Sequence, residues 1–459
     1  MIKVKDWSKT IILIQAVILL LALWSYKMWK GNNRVITWDV TNYYSYLPAT
    51  FIYKDLLLSF TKENPEKYYD KFVPLTTPTG GKCIKMSMGL SMLYAPFFFA
   101  AHAYAKIFGY PADGYSEPYR FALIISSMIF NILGLIFLRK LLLRFFGLRV
   151  TTLTLLAIGL GTNLLYYTAV RSAMSHSYNF ALITFFILLT IRWYRKTDIV
   201  NSVLIGLLAG LIVLIRPTNI VVILLFLLWG IKSFREIPIR LKLFLKNYYL
   251  IIIILLCSLF LWIPQMLYWK AVSGKYLYFS YQGESFFFNH PQLIKGWFSY
   301  RNGWLVYTPV MIFSLLGFYF LFKKYKELFF SFFLTFLVFD YLILSWWCWW
   351  YVGFGNRAFI DMYGLLAVPL AAFIDFILKQ KNVIKTGFYL VFTFFILLNL
   401  FQSWQYKKGY IQFDSMTKEA YWCVFGKIDP KDRFWGKLRY PDYEKALKGI
   451  YEDRKNNQK

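Results

Sequence analysis

Charge is scarce in this chain, and acid is scarcer than base. Only 16% of its 459 residues are Asp, Glu, Lys or Arg, and 52 basic residues face 23 acidic ones, for a net charge of +29. Cysteine and histidine are rarer still. Cys83, Cys257, Cys348 and Cys423 form no CxxC pair, and His102, His176 and His290 show no ligand spacing, so no metal site is expected and no cofactor is implied. Cys83 and Cys423 fall in outward segments by the topology argued below, which leaves a disulfide between them open. Thr77-Pro78-Thr79-Gly80-Gly81-Lys82 lacks the first glycine of a phosphate loop and the Ser or Thr after its lysine. With no nucleotide-binding domain either, ATP-driven transport is not expected. Internal repeats and low-complexity tracts are absent.

What fills the chain is hydrocarbon. It is 58% hydrophobic and 22% aromatic, with mean hydropathy +0.47. Apolar runs of about 18 residues or more read as membrane-crossing helices. Lipid offers the backbone no hydrogen-bond partners, so an all-α bundle is expected rather than open sheet. The start resembles a signal peptide, but Tyr26-Lys27-Met28-Trp29-Lys30 provides no small-residue cleavage site, and the first run reads as an uncleaved anchor.

The basic excess would suit nucleic acid if it were gathered on one surface. Instead it sits in short loops between apolar runs: Arg139–Arg149, Arg192–Lys196, Lys232–Lys246, Lys323–Lys326 and Lys379–Lys385. That is the positive-inside pattern, and no nucleic-acid partner is expected. With Lys3, Lys5 and Lys9 cytoplasmic, about eleven crossings follow, near 10–29, 119–138, 150–168, 173–191, 199–215, 217–232, 248–269, 304–322, 328–347, 361–378 and 386–404. The N-terminus is then inside and the C-terminus outside. Segment 88–108 carries Pro96, His102 and Lys106, and as a crossing it would invert every later loop, so it reads as an interfacial helix in the outer face with a bend near Pro96. Residues 1–404 form one membrane module. Its outward segments are the first loop, 30–118, with interfacial helices, and an aromatic loop, 271–303. Residues 405–459 form a small extracytoplasmic cap.

Outward polar residues are few, and each can be weighed. Asp39 lies just past the first helix, among aromatics, where water meets lipid. A carboxylate there can act as a general base on a lipid-borne substrate. Its alternative is the N-cap of a helix over Val40–Tyr53. Asp361 reads as a partner of nearby Arg357, and Glu284 as a possible contact on the aromatic loop. Asp340, inside a crossing, is a functional candidate by default or a hydrogen-bonded carboxyl near Trp346. Lys85, Arg171, Arg216, Arg301 and Arg357 fall near outer helix ends; a guanidinium fork suits phosphate, while Arg216 reads rather as a snorkelling side chain.

Three stretches carry a family resemblance: Asp39-Val40-Thr41-Asn42-Tyr43-Tyr44; Lys85-Met86-Ser87-Met88-Gly89-Leu90 followed by Ala95-Pro96; and Trp350-Tyr351-Val352-Gly353-Phe354-Gly355-Asn356-Arg357. On these and the topology of 1–404, the chain resembles the GT-C glycosyltransferases and is similar to the lipid A aminoarabinose transferases and protein O-mannosyltransferases. Val40 stands where many relatives have Glu, and Ser87 where the segment has Pro, which turns the reading away from a multi-acid metal site. The resemblance implies an inverting transfer from a polyprenyl-phosphate-linked sugar to an extracytoplasmic glycan, lipid or protein, in a bacterial cytoplasmic (inner) membrane. It implies Asp39 as base, Lys85, Arg357, Arg301 and Arg171 around the donor phosphate, and Tyr43, Tyr44, His176, Glu284 and Asp361 as substrate contacts. A transporter or flippase of a lipid-linked sugar predicts paired repeats and several deep charges. A non-catalytic scaffold subunit predicts no cavity behind Asp39.

Overall fold

The computed structural model describes residues 6–430 and 432–454. Lys3, Lys5 and residue 459, which the sequence assigns to opposite sides of the membrane, lie outside the described residues. Helix dominates. The named strands among the described residues are Leu75–Thr76 and Lys82–Cys83, a short antiparallel hairpin over the stretch that superficially resembles a phosphate loop. There the Thr77 and Thr79 hydroxyls donate to the Val272 carbonyl at 2.7 and 3.1 Å, so the turn is pinned to a helix end.

Among the described residues, six helical stretches are long and apolar enough to cross a membrane, consistent with an integral membrane protein: Trp7–Tyr26, Glu117–Leu142, Tyr248–Ser273, Lys326–Leu344, Arg357–Ile377 and Asn382–Lys407. The sequence expects about eleven, and the difference has local causes. Segment 150–168 breaks at Gly161 into Leu148–Leu160 and Leu164–Ala169. Segment 304–322 breaks before Pro309, which has no N–H to give a helix, and continues as Ile312–Lys324. Segment 217–232 opens as a 3-10 turn at Pro217 and ends at Leu227. Helix Ser175–Arg195 is long enough, but its first turns carry Ser175, His176, Ser177 and Asn179.

Polar contacts and close approach hold the bundle together. The Ser258 hydroxyl and the Trp262 indole on Tyr248–Ser273 donate to the Gly206 and Gly210 carbonyls of Ile199–Ile215 at 2.8 and 3.2 Å. The other side of Tyr248–Ser273 presents Leu255, Leu256, Leu259 and Phe260, each more than half exposed, as a face turned to lipid would. Helix Gly89–Ile107 runs on through Pro96 and lies across the ends of other helices. The Ser87 hydroxyl, just before it, bonds the Leu214 carbonyl near the end of Ile199–Ile215. Tyr94 rests 5.5 Å from Tyr178 in the first turns of Ser175–Arg195. Phe98 lies 5.6 Å from Tyr119 at the start of Glu117–Leu142.

The described residues after Lys407 pack against the loop around 300. Thr417 caps helix Lys418–Val424 by accepting from the Ala420 N–H at 3.1 Å. Arg301 bonds Asp453 at 2.5 Å, and Asn302 donates to the Phe413 carbonyl at 2.5 Å. All four cysteines are free, so Cys83 and Cys423 form no disulfide.

Candidate functional site

The site begins with a turn. Asn33 folds the chain after the first helix, its Oδ1 accepting from the Ile36 N–H at 2.9 Å and its Nδ2 donating to the Ile36 carbonyl at 2.7 Å. Trp38 then adopts φ 54 and starts helix Asp39–Tyr44. Asp39 is the first residue of that helix, and no side-chain capping bond is made there. Its Oδ2 instead accepts from Arg357 Nη2 at 2.8 Å. The capping alternative is therefore set aside: the carboxylate is directed to a residue more than three hundred positions away.

Arg357 is held by a rigid corner. Gly353, at φ 152, passes so close to Tyr167 that a Cβ would sit 2.2 Å from its hydroxyl. That hydroxyl accepts from the Phe354 N–H at 2.8 Å, and Asn163 Nδ2 donates to the Phe354 and Gly355 carbonyls at 3.0 and 2.8 Å. The 3-10 turn Arg357–Met362 then carries Arg357 toward Asp39 and Asp361 elsewhere. At about three residues per turn, these two positions point roughly 120° apart. The expected Arg357–Asp361 pair is accordingly absent.

Asp361 is fully buried and gathers four donors. These are His176 Nδ1 at 2.8 Å, Asn179 Nδ2 at 2.9 Å, Asn219 Nδ2 at 2.8 Å and Arg216 Nη1 at 3.3 Å. Arg216 is thus no snorkelling side chain: it is paired and only 14% exposed. Asp361 does not reach the cavity itself; it positions His176 and Arg216, which do.

Lys85 is held by the aromatic loop. Its ammonium pairs with Glu284 and lies 5.1 Å from the Tyr281 ring centroid. Trp347 Nε1 donates to the other Glu284 oxygen at 3.0 Å, and the Ser280 hydroxyl to the Lys85 carbonyl at 2.5 Å.

These pieces surround one cavity of about 1200 Å³, larger than the roughly 300–1,000 Å³ of an ordinary small-molecule site. Asp39, Tyr43, Lys85, Arg171, His176, Arg216, Glu284 and Arg357 all line it. The aromatic loop contributes 277–281, and the C-terminal segment closes one side with Asp414, Tyr440 and Tyr443. Besides Asp361, two predicted site residues lie elsewhere. Tyr44 follows Tyr43 by one helical step of about 100° and is buried, its hydroxyl donating to the Gly114 carbonyl at 2.6 Å. Arg301 is directed to the C-terminal segment by its bond to Asp453 and lines a second, smaller cleft. Asp340 accepts from Trp297 Nε1 at 2.8 Å, outside both.

Enclosure raises the pKa of Asp39, but the charge and hydrogen bond of Arg357 outweigh it, and the carboxyl titrates below its ordinary 3.8. Asp39 is therefore ionised at neutral pH. Burial pushes Tyr43 up to about 12, so its phenol stays protonated. Among the described residues, no three His, Cys, Asp or Glu side chains gather as a metal site.

Sequence reasoning took Arg216 for a snorkelling side chain and missed the contributions of Trp347, Asp414 and Tyr443. Arg216-Pro217 at the end of an apolar run was a usable signal, since an arginine at a helix break needs a partner. Nothing local marks the other three. Fold and site together define a class, an all-α protein of membrane type with a cation-rich cavity that also holds the carboxylates of Asp39, Glu284 and Asp414. No protein-family model matches the chain, and neither does any curated protein.

Proposed function

We propose that this chain is a membrane glycosyltransferase of the GT-C kind, moving a sugar from a polyprenyl-phosphate donor to an extracytoplasmic acceptor with inversion. The observation behind this reading is the convergence of Asp39, Lys85 and Arg357 on one cavity from three distant parts of the chain. A site for a lipid-linked phosphate needs cations, a carboxylate and room for an apolar tail, and this cavity supplies all three.

In this mechanism the acceptor oxygen or nitrogen attacks the anomeric carbon while Asp39 takes its proton. The bond from that carbon to the phosphate oxygen breaks, and its electron pair leaves with the lipid phosphate. Lys85, Arg357 and Arg171 stabilise that charge, with Arg216 taking the place that the resemblance assigns to Arg301. Arg357 has two claims on it. As it moves onto the phosphate, it loosens its hold on Asp39 and makes the carboxylate a stronger base. The same reading places about eleven crossings in a bacterial cytoplasmic (inner) membrane, with the cavity on the outer face; the support is the alternation of basic loops. The scaffold alternative is disfavoured by the cavity behind Asp39.

The test is Asp39→Asn, assayed in isolated membranes for transfer from a polyprenyl-phosphate sugar pool. The exchange is nearly isosteric and removes the base, so transfer should fall about 10²–10⁴-fold in a protein that still folds and inserts. Wild-type turnover would remove Asp39 from the mechanism.

A further inference from the structure

Beside the large cavity lies a cleft of about 310 Å³ that no step of the proposed transfer uses. Pro441 borders both spaces. The cleft is built where the C-terminal segment meets the loop around 295–301 and the Trp349-Trp350 pair. Its chemistry is unusual in one respect. Four lining residues carry a buried hydrogen-bond donor with no partner among the described residues: Trp349 Nε1, Trp350 Nε1, Arg301 Nε and the Tyr451 hydroxyl. Trp349 is only 3% exposed, so solvent does not reach its indole freely. A buried donor left unmet is destabilising, and four around one cleft call for an acceptor.

The charges agree. Asp453 and Glu452 line the cleft, but Asp453 is engaged by Arg301 at 2.5 Å and Glu452 by Lys445 at 2.6 Å. Lys295 and Lys418 also line it and have no carboxylate partner among the described residues. Lys295 instead lies 5.8 Å from the Tyr451 ring centroid, and Arg301 5.8 Å from that of Trp350. Unmet donors therefore lie in the wall of the cleft, beside two ammonium groups without a carboxylate partner and aromatic faces, while its own acids are already occupied.

We infer that this cleft is a binding site for an oxyanion, a phosphate or a carboxylate, carried by a small or sugar-like ligand. Arg301 and Trp349 donate to the anion and the two lysines attract it from the rim. The inference does not depend on the glycosyltransferase reading, because none of its residues takes part in that chemistry.

Calorimetric titration of the full chain in detergent micelles tests it with four probes: inorganic phosphate, glucuronate, a short-chain phosphatidic acid and neutral glucose. Saturable binding of at least one anion, tighter than glucose, is expected, and the tightest of them identifies the source as free phosphate, sugar acid or lipid. Trp349→Phe removes one donor and keeps a ring, so it should weaken that binding about tenfold. Lys418→Ala, an exposed change that leaves the fold intact, should weaken it a few-fold. Lys85→Ala alters only the large cavity and should leave this binding in place, which separates the cleft from the proposed donor site. Glucose binding as tightly as glucuronate would overturn the inference. So would the absence of saturable anion binding, or an affinity unchanged in both Trp349→Phe and Lys418→Ala.

Discussion

Replacing Asp361 with Asn should destabilise the protein more than any other single polar exchange around the cavity. The side chain is fully enclosed and its partners are nearly so, His176 at 3% and Arg216 at 14% exposure. Asn has the same shape, but it loses the charge that Arg216 faces and must turn an NH2 group toward one of four donors. Removing one partner of a buried ion pair costs about 3–5 kcal/mol, because the remaining charge is uncompensated. The Arg216 contact is 3.3 Å, longer than the about 2.7–2.9 Å of a strong charge-assisted bond, which puts the expected cost at the lower end. An unmet donor adds to it. The assay is apparent melting of the purified protein in detergent, for wild type, Asp361→Asn, Arg216→Gln and the double variant. Asp361→Asn should melt several degrees lower. The double variant should recover part of the loss, since it removes the uncompensated charge, with a coupling of about 1–3 kcal/mol. Melting of Asp361→Asn within about a degree of wild type would refute the view that this carboxylate holds the cavity wall together.

Three further predictions concern packing, pH and topology. A Cβ on Gly317 would lie 1.9 Å from the Pro369 carbonyl oxygen, which cannot yield, so Gly317→Ala should force helix Ile312–Lys324 off its neighbour and cost about 1–3 kcal/mol; Gly387→Ala, with nothing within 4 Å, is the control in the same melting assay. Because the Asp39 pKa is depressed, its pair with Arg357 stabilises the fold at neutral pH, and that contribution is lost as pH falls through the folded-state value. The melting advantage of wild type over Asp39→Asn should hold down to about pH 5 and shrink below 3.8, and an advantage that persisted at lower pH would contradict the pairing. In a background lacking the native cysteines, Gln282→Cys should react with an impermeant thiol reagent added to intact cells and Lys242→Cys should not, while the reverse result would invert the proposed orientation.

The all-α, membrane-type character was legible in the sequence because it depends on quantities summed along a continuous stretch. Mean apolarity and run length decide whether a segment can lie in lipid, and Trp7–Tyr26 or Asn382–Lys407 announce themselves in that way. Helix continuity was less legible. A run such as 304–322 is apolar throughout, yet Pro309 divides it, and the division depends on one missing N–H rather than on average hydropathy. Among site residues, Asp39, Lys85 and Arg357 could be singled out because a charge beside an apolar run is costly unless it has a use.

Their partners were another matter. Arg357 could be read with Asp361, four residues on, and only the corner at Gly353 and the pitch of a 3-10 turn send it to Asp39. Arg301, like Arg357, stands beside an apolar run, yet it belongs to a different cleft because the C-terminal segment presents Asp453 to it. The sequence by itself determined the solvent each segment prefers and which charges need partners. Only the tertiary structure decided which partners they have, because an ion pair depends on distance through space, and the contacts that build this cavity join residues up to 318 positions apart.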